Sequence, residues 1–112
     1  MLNLKRGSLT YLPFPNQEDK GISVKLCIVI DVEANNMVCL VPCTSSTHQD
    51  WRYLKSFEIK KDSPEGKQMK LKADSMVIVD RLDSFPSSLI KNTCEGTTPE
   101  SILKKIENML DE

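Results

Sequence analysis

Apolar residues recur at every second position through short segments of the first two thirds of the chain, and at every third or fourth position near its end. A period of two belongs to strands and a period near 3.6 to helices, so the pattern predicts a mainly β chain closed by a helix. Residues 8–12 alternate and stop at Pro13 and Pro15, which predicts a first strand and then a polar loop through Gly21. Residues 24–32 are almost continuously apolar and β-branched, the pattern of a strand buried on both faces. Asn35-Asn36 turns the chain into residues 37–41, so that a central hairpin delivers Pro42-Cys43-Thr44-Ser45 to the surface. Residues 57–61, 69–71 and 75–80 supply shorter strands, with a turn at Gly66, for five or six strands in all.

Residues 87–90 predict one brief turn of helix, and the principal helix starts at Thr98-Pro99. Thr98 is the expected N-cap, Pro99 the first helical residue, and Glu100 a complement to the helix dipole. Ile102, Leu103, Ile106, Met109 and Leu110 then share one face, which packs on the sheet or on a second subunit.

Composition leaves this picture intact and removes several classes. With 112 residues, 39% hydrophobic and 28% charged, the chain has the size and make-up of one globular domain. No run approaches the ~18 apolar residues that span a bilayer, and residues 1–6 lack a signal-peptide core, so the expected location is cytoplasmic, with no membrane partner. Cys27, Cys39, Cys43 and Cys94 include no C-x-x-C pair, and His48 is the single histidine, so structural thiols are expected rather than a metal site. Net charge is −1 but unevenly spread. Residues 52–72 hold seven basic and three acidic side chains, and residues 74–112 four basic and eight acidic. That asymmetry suits a face for an anionic partner, or simply a solvated surface.

No phosphate-binding glycine loop, metalloprotease helix or Ser/His/Asp signature is present. The informative pattern is spread along the chain. It comprises Arg6-Gly7-Ser8-Leu9-Thr10-Tyr11-Leu12-Pro13-Phe14, then Glu18-Asp19-Lys20-Gly21, then Lys25 before an apolar strand. Met37 to Ser45, ending in Pro42-Cys43-Thr44-Ser45, follows, with Leu71-Lys72-Ala73-Asp74-Ser75, the later Asp80, and Thr98-Pro99-Glu100. In this order and spacing the fragments resemble the MazF/PemK family of toxin endoribonucleases over residues 1–112.

The resemblance implies a mainly β (α+β) fold, an SH3-like barrel of five to six strands with a C-terminal helix. It further implies a homodimer that cuts single-stranded RNA with no metal or cofactor and is silenced by an antitoxin. Thr44 matches the family's catalytic threonine, although Thr44-Ser45-Ser46 read alone is better explained as a turn cap. Lys25 stands where the family has arginine, and Leu26 where it has proline. Lysine is a point charge where arginine offers a planar fork for two phosphate oxygens, so weaker cleavage is expected.

Glu18 is a further catalytic candidate, and the loop after it is about two residues longer than the family pattern. His48, a residue type whose unperturbed pKa lies near neutrality, is a candidate acid or base four residues beyond Thr44. Ser45, Ser46, Arg52 and Lys55 are candidate RNA contacts, with Lys60 and Lys61 extending a track for the backbone. Trp51 either stacks on a base or turns inward or toward an antitoxin. Asp80 and Arg81 are further candidate RNA contacts, Asp80 either orienting a neighbouring cation or being a buried strand-end carboxylate paired with Arg81. Two rival readings remain at this point: a degraded module that binds RNA or an antitoxin peptide without cutting, favoured by Lys25, and a gyrase inhibitor of the same fold like CcdB.

Overall fold

A computed structural model describes residues 4–15, 21–45 and 55–111. Six antiparallel strands run β1 (Leu9–Pro15), β2 (Ile22–Val32), β3 (Met37–Ser45), β4 (Ser56–Ile59), β5 (Ser75–Ile78) and β6 (Asp83–Pro86). Helix α1 (Pro64–Met69) links β4 to β5, and α2 (Glu100–Leu110) closes the chain. The sheet order is β1-β2-β3-β5-β4, with β6 also on β3. Strand β3 is shared along its length: Met37 to Leu40 pair with β6, and Cys43 to Ser45 with β5. That division, with two strands sharing one edge of β3, is consistent with the barrel-like form expected.

The two faces of β2 and β3 fill different clusters, as a strand buried on both sides must. Ile28, Ile30, Val41 and Cys43 join Leu9, Phe57, Val77 and the α2 residues Ile102, Leu103 and Ile106. Cys27, Val29, Val38 and Leu40 face the other way, with Leu12 and Ile90. A register shift between Val29 and Asp31 places a bulge at Ile30. The α2 stripe therefore packs on the sheet through Ile102, Leu103 and Ile106, and Lys105 lies 4.6 Å over the Phe57 ring. All four cysteines are free thiols. Burial pushes Cys27 up to about 12 and Cys43 higher still, so neither supplies a thiolate at neutral pH.

Several boundaries differ from the sequence reading for identifiable reasons. The first strand runs through Pro13 to Pro15 because β1 is an edge strand. Leu9 turns its carbonyl outward to the Cys94 N–H (2.8 Å), and Pro13 and Pro15 share that outward parity, where a missing N–H breaks no ladder bond. Gly66 lies inside a helix instead of a turn. Ser63 caps α1 by accepting from the Gly66 N–H (3.0 Å), Pro64 begins it, and Lys70 ends it in the left-handed region at φ 57°. Residues 69–71 are consequently the helix end and its exit, not a strand. The Lys70 and Leu71 N–H groups return to the Lys67 and Gly66 carbonyls, a Schellman closure that usually carries glycine; lysine there costs about 1 kcal/mol.

Strand β5 stops at Ile78 because the Val79 and Asp80 N–H groups both turn to the Lys55 carbonyl (2.9 and 3.3 Å). The resulting 3-10 turn Val79–Arg81 redirects the chain into β6, a strand the apolar pattern does not announce. The brief helical turn expected near residue 88 is the 3-10 turn Ser87–Leu89. Thr98 is not the cap of α2; Pro99 holds that position, and its carbonyl receives the Ile102 and Leu103 N–H groups. Thr98 is drawn back instead to the Gly7 carbonyl (2.9 Å), beside the Ser8 and Thr97 bridge. Gly7 there has φ +96°, a conformation that residues with a Cβ rarely adopt.

Arg6 clamps this N-terminal segment to α2. Its Nη1 donates to both Glu100 oxygens (2.9 and 2.7 Å) and its Nη2 to Glu107 Oε1 (2.7 Å). The Arg6 hydrogen bond holds the Glu100 carboxyl below its ordinary value of 4.5. A depressed carboxylate stabilises the fold above its unfolded value, and that contribution is lost as pH falls through the folded value. The gap in urea midpoint between the natural chain and Arg6→Ala is therefore expected at neutral pH and should close in acid, as pH falls through that lowered value. A gap that persists unchanged in acid would remove the ion pair from the account.

Candidate functional site

Strands β2 and β3 bring the two principal sequence candidates together. Leu26 pairs with Cys43 at the end of their ladder, and Lys25 and Thr44 are the next residues along. The alternation of side chains along each strand gives Lys25 and Thr44 a common face just beyond that last pair. Thr44 is also held from its other side, opposite Met76 of β5, so its position is set by an interior strand and not by a loose turn. Lys25 is opposite Leu12 of β1, and the Cys27 thiol donates to the Lys25 carbonyl (3.4 Å). Both side chains are partly exposed.

Lys25 and Thr44 line one open cleft of about 690 Å³. Its floor is apolar, with Leu26, Cys43, Met69 and Leu71, and its rim carries Tyr11, Lys70, Lys72 and Glu95. Lys70 is held by Glu95 (3.1 Å). Among the described residues, Lys25 and Lys72 form no ion pair with a carboxylate, so the two cations that line the cleft have no fixed counter-charge from those residues. Hydroxyl and ammonium donors arranged before a ligand arrives suit an anion such as a phosphate diester.

The other candidates divide into those placed elsewhere and those outside the described residues. Lys55, Asp80 and Arg81 gather at the start of β4, away from this cleft. Asp80 is exposed and accepts from the Lys55 backbone N–H (3.1 Å), so it is not a buried carboxylate but the organiser of the turn after β5. Lys60 is drawn off the proposed RNA track by Glu58 (3.2 Å) and Asp74 (3.6 Å), which hold its ammonium protonated beyond the usual lysine range. Asp74 itself accepts from the Lys61 N–H (2.9 Å) and fastens the entry to α1. Glu18, Ser46, His48, Trp51 and Arg52 lie outside the described residues, and of Ser45 only the strand position is described.

Tyr11, Lys70 and Lys72 are site residues that the sequence reading did not single out. Their signals were present: an aromatic at an outward position of an edge strand, and lysines in the basic stretch of residues 52–72. What was missing was α1, whose left-handed exit carries Lys70 and then Lys72 over the end of β3. Among the described residues no cluster of three or more His, Cys, Asp or Glu forms a set of metal ligands, and no helix is long and apolar enough to cross a membrane.

A comparison with curated proteins finds no match. A comparison with protein families does: residues 5–112, nearly the whole chain, match the family described as PemK-like, MazF-like toxin of type II toxin-antitoxin system. The six-stranded antiparallel sheet, the closing helix and the order of fragments from Arg6 to Glu100 agree with that match, and the chain belongs to the PemK-like, MazF-like toxin family of type II toxin-antitoxin systems.

Proposed function

We propose that this chain is a toxin endoribonuclease that cuts single-stranded RNA without a metal ion, acts in the cytoplasm as a homodimer, and is held silent by a cognate antitoxin. The observation that carries the proposal is the convergence of Lys25 and Thr44 on one open, cationic cleft. In such a cleavage the ribose 2′-oxygen attacks the adjacent phosphorus. Its proton passes to a base, the phosphorus–5′-oxygen bond breaks, and a proton is delivered to the leaving 5′-oxygen. The products are a 2′,3′-cyclic phosphate and a free 5′-hydroxyl.

The phosphorane formed on the way carries an extra negative charge on its non-bridging oxygens. Thr44 donates its hydroxyl to one of them, and the Lys25 ammonium lies against another, so both interactions strengthen as charge develops. Lys25 also carries a proton that the leaving oxygen can take. Glu18 and His48 are the proposed proton acceptors at the 2′-hydroxyl. Ser45, Ser46, Trp51 and Arg52 are proposed to guide the strand past Thr44, with Lys55 and Arg81 adding positive charge farther along.

Purified protein incubated with single-stranded RNA in excess chelator is expected to cut it, and Thr44→Ala is expected to abolish most of that cutting. Binding of the RNA without cleavage would favour the non-catalytic module instead, the reading to which lysine in the arginine position points. Trapping of purified gyrase on DNA, with RNA left intact, would favour the CcdB-like reading.

A further inference from the structure

We infer that the apolar side of the cleft is a nucleotide subsite in which the base next to the scissile phosphate stacks on Tyr11 while Lys72 holds the following phosphate. This inference rests on the RNA-cleaving reading and extends it to residues that reading does not use.

Tyr11 is 52% exposed, the one aromatic among the exposed large hydrophobic residues described. It occupies an edge strand, and no described residue covers it. Its cross-strand partner is Leu26, the neighbour of Lys25, and Tyr11, Lys25 and Thr44 all line the one cleft in which a phosphate would be held. Val24, 67% exposed, follows two residues along the same face of β2 and extends the apolar surface beside the ring. An aromatic ring bordered by aliphatic carbon and flanked by lysines is the platform on which an unpaired base stacks, and such stacking accepts every base because each has a π face.

Across the floor from Tyr11 stand Lys70 and Lys72. The left-handed exit of α1 carries both to the rim, and Glu95 engages Lys70 while Lys72 stays open to the cleft. One strand of nucleic acid lying from Thr44 across the apolar floor therefore meets a donor pair, a stacking ring and a free cation in turn. A double helix keeps its bases paired and offers none of them to Tyr11, so the site takes a single strand.

The test uses equilibrium binding of the full chain to a single-stranded RNA made uncleavable by 2′-O-methyl groups, together with cleavage of the unmodified RNA. Tyr11→Ala is expected to weaken binding about tenfold, within the range for losing one stacked base, and Tyr11→Phe to bind as the natural chain does. Removing one base at a time from the RNA should reveal a single position at which the abasic loss and the Tyr11→Ala loss do not add. Lys72→Ala should lower the salt dependence of binding by about 0.7 in the log–log slope, the value for one phosphate contact on a single strand.

Unchanged binding by Tyr11→Ala, or additive losses at every position, would overturn the subsite while leaving cleavage at Thr44 and Lys25 in place. A chain that shows the Tyr11 signature yet cuts nothing would keep the subsite and overturn the catalytic reading. A natural chain that neither binds nor cuts RNA would overturn both.

Discussion

Lys25→Ala is expected to slow cleavage of single-stranded RNA by about 10²–10³-fold, the usual cost of removing one preorganised donor from a charged transition state. The loss should fall on kcat more than on KM, because the interaction strengthens only as the phosphorane forms. Lys25→Arg separates charge from geometry. A guanidinium can bind two phosphate oxygens in one plane, whereas the ammonium supplies a point charge and an easier proton. If Lys25 acts by stabilising the phosphorane, Lys25→Arg should match or exceed the natural chain. If it acts as the acid for the 5′-oxygen, Lys25→Arg should remain slow, since arginine keeps its proton at any ordinary pH. Thr44→Ala should fall by a similar factor and Thr44→Ser recover much of it, because the hydroxyl and not the methyl makes the contact. Lys25→Ala or Thr44→Ala with undiminished cleavage would take that residue out of the site.

The second large effect is structural. Gly96→Ala is expected to destabilise the chain by about 2–4 kcal/mol, toward the upper end for a single substitution. A Cβ at Gly96 would overlap the Met69 carbonyl oxygen and lie 2.5 Å from the carbonyl carbon and 3.0 Å from the Gln68 oxygen. All three are backbone atoms of the end of α1, and the Met69 side chain is itself buried in the main cluster, so neither partner moves cheaply. Gly96 and Lys70 to Lys72 line the same cleft. Whatever fold remains should therefore have a displaced rim and a weaker hold on RNA. The urea midpoint and far-ultraviolet circular dichroism read the stability; a midpoint within error of the natural chain would show that the contact yields without cost.

The helix and the central hairpin were legible because each buries a continuous apolar face, and burial is what sequence periodicity records. Val29, Val41, Ile102 and Ile106 sit in the core as their spacing requires. Parts of the fold governed by backbone bonding were not legible in the same way. Strand β6 carries one half-buried apolar residue, Phe85, and exists because β3 offers it a free edge. Helix α1 was hidden by Gly66, read as a turn residue, although its actual reason is that a Cβ there would overlap the Lys60 carbonyl. The Ser63-Pro64 pair before it was the true signal, a cap followed by a first-turn proline.

The candidate site divides along the same line. Thr44 and Lys25 were singled out by the family resemblance, and their nearness follows from their places on two long paired strands, where sequence order translates directly into proximity. Tyr11 and Lys72 depend on a third strand and on the exit of α1, and their meeting is a property of the fold. Asp80 shows the reverse error: a carboxylate at the end of an apolar run looked buried, yet a backbone amide and a turn claim it at the surface.

The central claim is that Thr44 and Lys25 support attack by the ribose 2′-oxygen, and the chemistry of the new RNA ends tests it most directly. Products made in excess chelator should accept a labelled phosphate from polynucleotide kinase without prior phosphatase treatment, as free 5′-hydroxyls do, and a 2′-deoxy substitution at the cut position should stop cleavage there. Products with 5′-phosphate ends, or cleavage that continues past the 2′-deoxy position, would contradict the account.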